Sequence, residues 1–181
     1  MQLNLGSGIN PQEGFVNVDM YEALNPDVVF DLETFPWPWE DNSVDHLMAE
    51  AFLEHVGQTN DQFLKILGEM CRICKPNATM NISVPHPWHY EFLGDPTHCR
   101  AVTAEQFAQF DKDTYERNPL REGLGIEFKV MNLYYVPGSE LTRNMTQEEI
   151  HKVVWTQLNA VREIRMEIMV IKQEAEIKNA A

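Results

Sequence analysis

The chain has 181 residues, 44% of them hydrophobic, and its 28 acidic and 14 basic residues give a formal net charge of −14. This size supports one domain with its own core, and the charge would repel a phosphate backbone, which argues against nucleic acid as a partner. No apolar run approaches the roughly 18 residues that span a membrane, and the N-terminus lacks a signal-peptide core, so we expect a cytoplasmic protein that does not contact a membrane.

The first strand is predicted at the very start of the chain. Met1, Leu3 and Leu5 alternate with polar residues, and Gly6-Ser7-Gly8 follows directly. Glycines allow the main chain to approach a ligand closely. A strand that ends in such a turn is typical of a nucleotide-type site at the carboxyl edge of a parallel sheet.

Two acidic residues follow the next two predicted strands. Val16-Asn17-Val18 ends at Asp19, and Val28-Val29-Phe30 ends at Asp31. Only a short loop separates Gly8 from the second strand, too short for a helical crossover. Each aspartate could be a turn or cap residue. Because carboxyl ends of parallel strands converge, however, we interpret the pair together with the glycines as ligand-binding, with Asp19 placed to accept ribose hydroxyls.

The middle of the chain predicts further elements of an α/β fold. Trp37 and Trp39 lie in a proline-rich loop and are interpreted as plugging the end of the sheet. A strand over 44–49 precedes a helix from about Asn60 to Cys74, which Thr59 and Gln62 open as a capping box. Cys71 and Cys74 form half of a metal or redox motif, but they lie on the apolar stripe of that helix, so we expect core residues.

Five segments together carry a family resemblance. They read L-N-L-G-S-G, G-F-V-N-V-D, V-V-F-D-L-E, S-V-D-H-L-M-A-E-A-F-L-E-H-V and C-K-P-N before the strand over 79–84. In this order and spacing, over about residues 1–85, the chain resembles a class I S-adenosylmethionine-dependent methyltransferase, most closely the small type with a short first crossover found in bacteria and phages. The resemblance implies a Rossmann-like, doubly wound, mostly parallel sheet of about seven strands with the last strand antiparallel.

The resemblance also implies which residues contact S-adenosylmethionine. Gly6 and Gly8 would pass the methionine part, Asp19 would hold the ribose, and Asp31 with Leu32 would lie at the adenine. The full implied set is Gly6, Ser7, Gly8, Asp19, Met20, Asp31, Leu32, Glu50, Ala51 and Phe52. A nicotinamide site fits less well, because no third glycine completes G-x-G-x-x-G.

The segment after the fifth strand is the predicted cover of the site. Residues 86–125 form our lid and substrate segment, and their first part holds three of the six histidines. Histidine suits a general base for a hydroxyl or amine acceptor, and His98 or His86 is the candidate. Asp95 or Arg100 would orient the acceptor, with His89 beside them, although Asp95-Pro96-Thr97-His98 is equally readable as a self-bonded turn. His55 is interpreted as a packing residue.

A metal site is the alternative interpretation of this segment. His86, His89, His98 and Cys99 are zinc-type ligands, but they lack the paired short spacings of a structural site, so no metal is expected.

The last part of the chain, residues 126–171, is predicted to complete the sheet. Thr103 caps a short helix carrying Phe107 and Phe110, and a strand follows over 126–136 with Phe128, Val130, Asn132 and Tyr134 on one side. Thr146 caps a helix with the stripe Ile150, Val153, Val154, Leu158 and Val161, and a last strand carries Ile164, Met166, Ile168 and Val170. The helix between the two strands is expected to cover the sheet edge or to form a homodimer contact.

The sequence therefore predicts one domain that transfers a methyl group from S-adenosylmethionine to a small-molecule or saccharide-like acceptor. No N-P-P-Y or D-P-P-Y stretch follows the fourth strand, which argues against a DNA base methyltransferase. The alternatives are an enzyme that cleaves the sulfonium without methyl transfer and a binding or assembly module without turnover.

Overall fold

A computed structural model of the chain describes residues 1–112 and 124–172. Its sheet has seven strands in the order β3-β2-β1-β4-β5-β7-β6. The strands are β1 (Gln2–Leu5), β2 (Val16–Asp19), β3 (Val28–Val29), β4 (Val44–Glu50), β5 (Cys74–Pro85), β6 (Phe128–Pro137) and β7 (Val161–Val170). All neighbours from β3 to β5 pair in parallel, whereas β7 pairs antiparallel with both β5 and β6. The predicted mostly parallel sheet with an antiparallel last strand is confirmed.

Four α-helices connect the strands in the described residues: α1 (Asn60–Ile73), α2 (Tyr90–Gly94), α3 (Ala104–Ala108) and α4 (Gln147–Val153). Short 3-10 helices occupy Glu22–Leu24 and Leu53–His55. The three predicted capping boxes are present, at Thr59, Thr103 and Thr146. Each one satisfies main-chain N–H groups that the first turn of a helix leaves unpaired.

The core lies on one face of the sheet. Alternate residues of β5 and β7 are buried there, and they pack with the apolar stripe of α1. Cys71 and Cys74 are buried core residues as predicted, although Cys74 is the first residue of β5 and not part of the helix. Trp37 is also buried, with its Nε1 donating to the carbonyl of Leu32 at 3.0 Å, so this loop does plug the sheet. The phenyl rings of Phe107 and Phe128 join α3 to β6 with centroids 5.9 Å apart.

The opposite face carries polar and half-exposed side chains over the last four strands of the sheet. The register aligns them in two rows that cross β4, β5, β7 and β6. One row consists of Met48, Asn81, Glu167 and Asn132, and the other of Glu50, Ser83, Arg165 and Tyr134. Burial on one face only explains why these strands alternate between apolar and polar residues.

Two predictions about the final elements need correction. Register shifts between Val130 and Asn132, so Phe128 and Tyr135 are buried while Asn132 and Tyr134 are exposed. A β-bulge adds one residue to the strand and reverses its alternation, which a strict period of two cannot anticipate. The helical stripe also ends early, because α4 stops at Val153 and Leu158 is 70% exposed in the following turns.

Part of the predicted lid and substrate segment over residues 86–125 lies outside the described residues, which omit 113–123. None of the helices in the described ranges has the length and apolar content that a membrane crossing requires.

Candidate functional site

The turn after β1 has a main-chain conformation that requires glycine. Gly6 and Gly8 have φ angles of +62° and +52°, in the left-handed region that L side chains rarely adopt. A Cβ at Gly6 would lie 2.4 Å from Cδ2 of Phe52, so a side chain has no room there. The N–H of Ser7 donates to the carbonyl of Val18 at 3.0 Å. The turn is therefore fixed against the end of β2 and against an aromatic ring.

Asp19 ties this turn to the carboxyl end of β2. Its Oδ2 accepts the N–H of Gly8 at 2.9 Å, and its Oδ1 accepts the N–H of Tyr21 at 2.9 Å. The carboxyl group is almost fully buried, with 8% of the residue exposed. A carboxylate oxygen can accept more than one hydrogen bond, so both oxygens stay available to hydroxyl donors of a ligand. The glycine turn and the acid form one rigid unit.

The other residues of the implied cofactor set surround this unit. The N–H of Phe30 donates to the carbonyl of Asp19 at 2.9 Å, which brings Asp31 to the same edge, and Met20 is exposed beside Asp19. Leu32 is a buried core residue that follows Asp31. On the other side of β1, β4 ends at the exposed Glu50, followed by Ala51 at φ +46° and by Phe52 against Gly6.

A cleft of about 940 Å³ opens beside Glu50 and Ala51, at the carboxyl ends of β4 and β5. Its walls come from the 3-10 helix after β4, from α2 and the loop that follows it, and from the start of β7. The polar side chains along these walls include Glu54, His55, Asp95, His98, Arg162 and Glu163. The predicted substrate segment does supply one wall of this cleft.

His98 and Asp95 line the cleft with defined hydrogen bonds. The Nδ1 of His98 lies 2.9 Å from the carbonyl oxygen of Phe92. Because a carbonyl only accepts, this nitrogen carries the proton and Nε2 keeps a lone pair. The Oδ1 of Asp95 accepts from the N–H and the hydroxyl of Thr97, at 2.8 and 2.6 Å, and these bonds lower the pKa of Asp95.

His86 and His89 lie outside this cleft. Each is only 1% exposed, and neither Nε2 has a hydrogen-bond partner among the described residues. The ring of His86 packs 4.8 Å from the ring of Trp155, and its Nδ1 accepts the N–H of Trp88. His89 caps α2 by accepting the N–H of Glu91. Because both rings are buried, a substrate that enters from solvent could not reach them. Of the two predicted base candidates, His86 and His98, only His98 lines the cleft.

Arg100 is likewise engaged elsewhere. Its Nε and Nη2 donate to the carbonyl of Gly57, at 3.2 and 2.7 Å, and its guanidinium carbon lies 4.3 Å from the centroid of Phe63. It fastens the loop after β4 to the start of α1. Arg100 is not among the residues that line the cleft, because a carbonyl and an aromatic ring satisfy its charge first.

Sequence reasoning missed several residues that line the cleft. Glu54 and His55 were in view as L-E-H-V at the carboxyl end of β4, where loops of the active edge converge, and that position was the usable signal. Arg162 and Glu163 reach the cleft because β7 is antiparallel, so its first residues lie at the carboxyl edge of β5. Burial raises the pKa of Glu54 to about 7 and lowers the pKa of His55.

The chain is similar to methyltransferases both in a sequence comparison and in a structural comparison. Residues 7–82 match the model of a methyltransferase domain. A S-adenosylmethionine-dependent methyltransferase from Archaeoglobus fulgidus has a similar structure, with 20% identity, a TM-score of 0.63, and coverage of 93% of this chain and 85% of that one. One from Mesorhizobium loti has 12% identity, a TM-score of 0.55, and coverage of 93% and 89%.

The same fold also occurs in the [4+2]-cyclase SpnF, with 12% identity, a TM-score of 0.59, and coverage of 95% of this chain and 75% of that one. No curated protein matches the sequence.

Proposed function

We propose that this chain, whose residues 7–82 match a methyltransferase domain and whose fold is similar to that of S-adenosylmethionine-dependent methyltransferases, transfers a methyl group from S-adenosylmethionine to a small hydroxylated acceptor. The cofactor would bind along the carboxyl ends of β2, β1 and β4. The acceptor would occupy the cleft beside Glu50 and Ala51.

The observation that carries this proposal is the closure of the glycine turn on Asp19. The N–H of Gly8 holds one carboxylate oxygen and the N–H of Tyr21 holds the other, so the acid cannot rotate. A fixed carboxylate can accept both hydroxyls of a ribose, and preorganisation reduces the entropy lost on binding. The left-handed glycines let the main chain approach the amino-acid part of the cofactor.

The residues that follow β4 lie between the glycine turn and the cleft. Ala51 borders the cleft on one side and precedes Phe52, whose ring lies against Gly6 on the other. A methyl group presented from the glycine turn would therefore leave toward the cleft. Methyl transfer from a sulfonium is an in-line displacement, and its main requirement is alignment of the acceptor atom with the methyl carbon and the sulfur.

The chemistry of the cleft favours a polar acceptor. Its walls combine the acids Glu54, Asp95 and Glu163 with Arg162 and His98. Acidic and basic side chains of this kind can bind the hydroxyl groups of a small or saccharide-like molecule. The Nε2 of His98, which lies 3.9 Å from Oδ2 of Asp95, is the candidate base that takes the proton from the attacking hydroxyl, because its other nitrogen donates to Phe92.

Calorimetric titration of S-adenosylmethionine and S-adenosylhomocysteine tests the cofactor assignment. Asp19→Asn should weaken binding by at least about tenfold, which is about 1.4 kcal/mol. Asp27→Asn is the matched control, because Asp27 also accepts a main-chain N–H, from Asn17 at 2.8 Å, but lies at the opposite end of β2. Failure of both ligands to bind the folded wild-type protein would contradict the proposal.

The reaction type requires product analysis. S-adenosylhomocysteine as the product of S-adenosylmethionine with an acceptor supports methyl transfer, whereas methylthioadenosine would indicate cleavage of the sulfonium instead. The similarity of the fold to a [4+2]-cyclase makes this assay necessary, since a shared fold does not fix the reaction.

A further inference from the structure

Three potential metal ligands converge in the cleft, from two separate segments. Glu54 and His55 lie in the 3-10 helix that follows β4, and His98 lies in the loop after α2. One ligand atom from each lies within 4.8 Å of the ligand atoms of the other two. These are different residues from the histidine and cysteine set that the sequence suggested, of which only His98 is present here.

In the part of the chain that the structure describes, the carboxyl group of Glu54 is buried without a full set of hydrogen-bond partners. The residue is 1% exposed, and its Oε2 has no hydrogen-bond partner among the described residues. Asp95 and Glu163 line the same cleft and add further negative charge to it. A buried carboxyl oxygen without a partner is costly, and a bound cation would provide that partner.

The two histidines are oriented as metal ligands usually are. The Nδ1 of His55 lies 3.0 Å from the hydroxyl of Thr97, and that hydroxyl lies 2.6 Å from the Oδ1 of Asp95. The Oδ1 of Asp95 also accepts the N–H of Thr97, and a carboxylate only accepts, so the Thr97 hydroxyl donates to it and accepts the Nδ1 proton of His55.

His98 has the same arrangement with a different partner. Its Nδ1 donates to the carbonyl of Phe92. In both rings Nε2 is therefore the nitrogen with a lone pair. Metal-binding histidines almost always donate their other N–H to a carbonyl, a carboxylate or a relay of this kind, which fixes the tautomer.

We propose that Glu54, His55 and His98 bind one divalent transition-metal ion, of the zinc, iron(II) or cobalt(II) type. Two imidazole nitrogens and one carboxylate oxygen favour these ions over magnesium and calcium, which prefer oxygen ligands. Three protein ligands leave coordination positions open toward the cleft.

The metal would give the cleft a specific role if the proposed methyl transfer is correct. An acceptor oxygen that occupies an open position loses its proton to solvent more readily, because the cation stabilises the alkoxide. The oxygen then forms its bond to the methyl carbon, while the bond from that carbon to sulfur breaks and sulfur keeps the electron pair. His98 cannot serve as the base in this form, because its Nε2 lone pair is used by the metal.

Metal titration of untagged protein that has been stripped with a chelator tests the site. We expect one equivalent of Co²⁺ to bind, with visible d–d absorption, and Zn²⁺ to displace it, while Mg²⁺ does neither. Glu54→Gln, His55→Ala and His98→Ala should each weaken binding by at least about tenfold. Three variants are needed because any one could disturb the local fold, which circular dichroism would report.

Two control variants define where the metal binds. His151→Ala removes an exposed histidine, and Cys99→Ser removes the exposed cysteine, so neither should change the Co²⁺ affinity. Absence of Co²⁺ and Zn²⁺ binding to the folded wild type, or binding that none of the three ligand variants weakens, would overturn the proposal. Titration of S-adenosylmethionine into the same samples keeps the two proposals separate, because each ligand can bind or fail independently of the other.

Discussion

Replacing His86 should reduce the loss of unfolding free energy that the protein suffers as the pH falls below about 6.5. Its ring is enclosed by Trp155 and near His89, and burial followed by the charge of His89 lowers its pKa from 6.5 to about 4, although Glu105 opposes the shift. The unfolded chain therefore binds more protons than the folded one between those values, so stability is lost as the pH falls from about 6.5 to about 4. Between pH 7 and pH 5 this amounts to about 2 kcal/mol, worked from the pKa shift at about 1.4 kcal/mol per unit.

Urea unfolding of the wild type and of His86→Gln at pH 7 and pH 5 measures this difference. The variant loses packing at both pH values, so the informative quantity is how much less stability it loses than the wild type on acidification. We expect the variant to lose about 2 kcal/mol less unfolding free energy than the wild type between pH 7 and pH 5. His151→Gln, which changes an exposed histidine, is the matched control variant. Parallel curves for wild type and His86→Gln would refute the reasoning, because they would mean that His86 does not resist protonation in the fold.

Two further predictions concern the glycine turn and the loop at the end of the sheet. Gly6→Ala should weaken S-adenosylmethionine binding at least about tenfold, measured by calorimetry, because its Cβ collides with a phenyl ring, whereas Gly14→Ala has a positive φ but no neighbour within 4 Å and should retain binding. Arg72→Ala should cost about 2–3 kcal/mol in urea unfolding, because its guanidinium bonds two main-chain carbonyls and two carboxylates. Lys65→Ala, at an exposed ion pair, should stay within about 0.5 kcal/mol, and equal losses for both would contradict this account.

The parts of the fold that depend on neighbouring residues could be predicted from the sequence. A strand that ends in Gly6-Ser7-Gly8 and a second that ends in Asp19 need only local patterns and the convergence of parallel strands. The N-terminal half of the sheet and the capping boxes of the helices can also be predicted from local sequence. A Thr three residues before Gln or Glu forms hydrogen bonds that satisfy main-chain N–H groups at the start of its helix.

The cleft could be predicted only in part, because long-range packing decides which polar residues face it. His86, His89 and His98 lie within one 13-residue segment, yet His86 lies against Trp155, a residue 69 positions later, and His98 lies against His55. Arg162 arrives through the antiparallel direction of β7. The bulge in β6 is also invisible locally, because its register is set by pairing with β7.

The polar face of the sheet has a consequence for how this sequence can vary. The residues of its two four-residue rows belong to the same strands as core residues, but they lie on the opposite face, because alternate side chains of a strand point to opposite sides. Substitutions there are coupled to their neighbours in the same row and hardly to the interior; Asn132, for example, donates to Glu167. A combinatorial library restricted to these eight positions would therefore sample new surfaces on an unchanged scaffold, with covariation running across the strands and not along them.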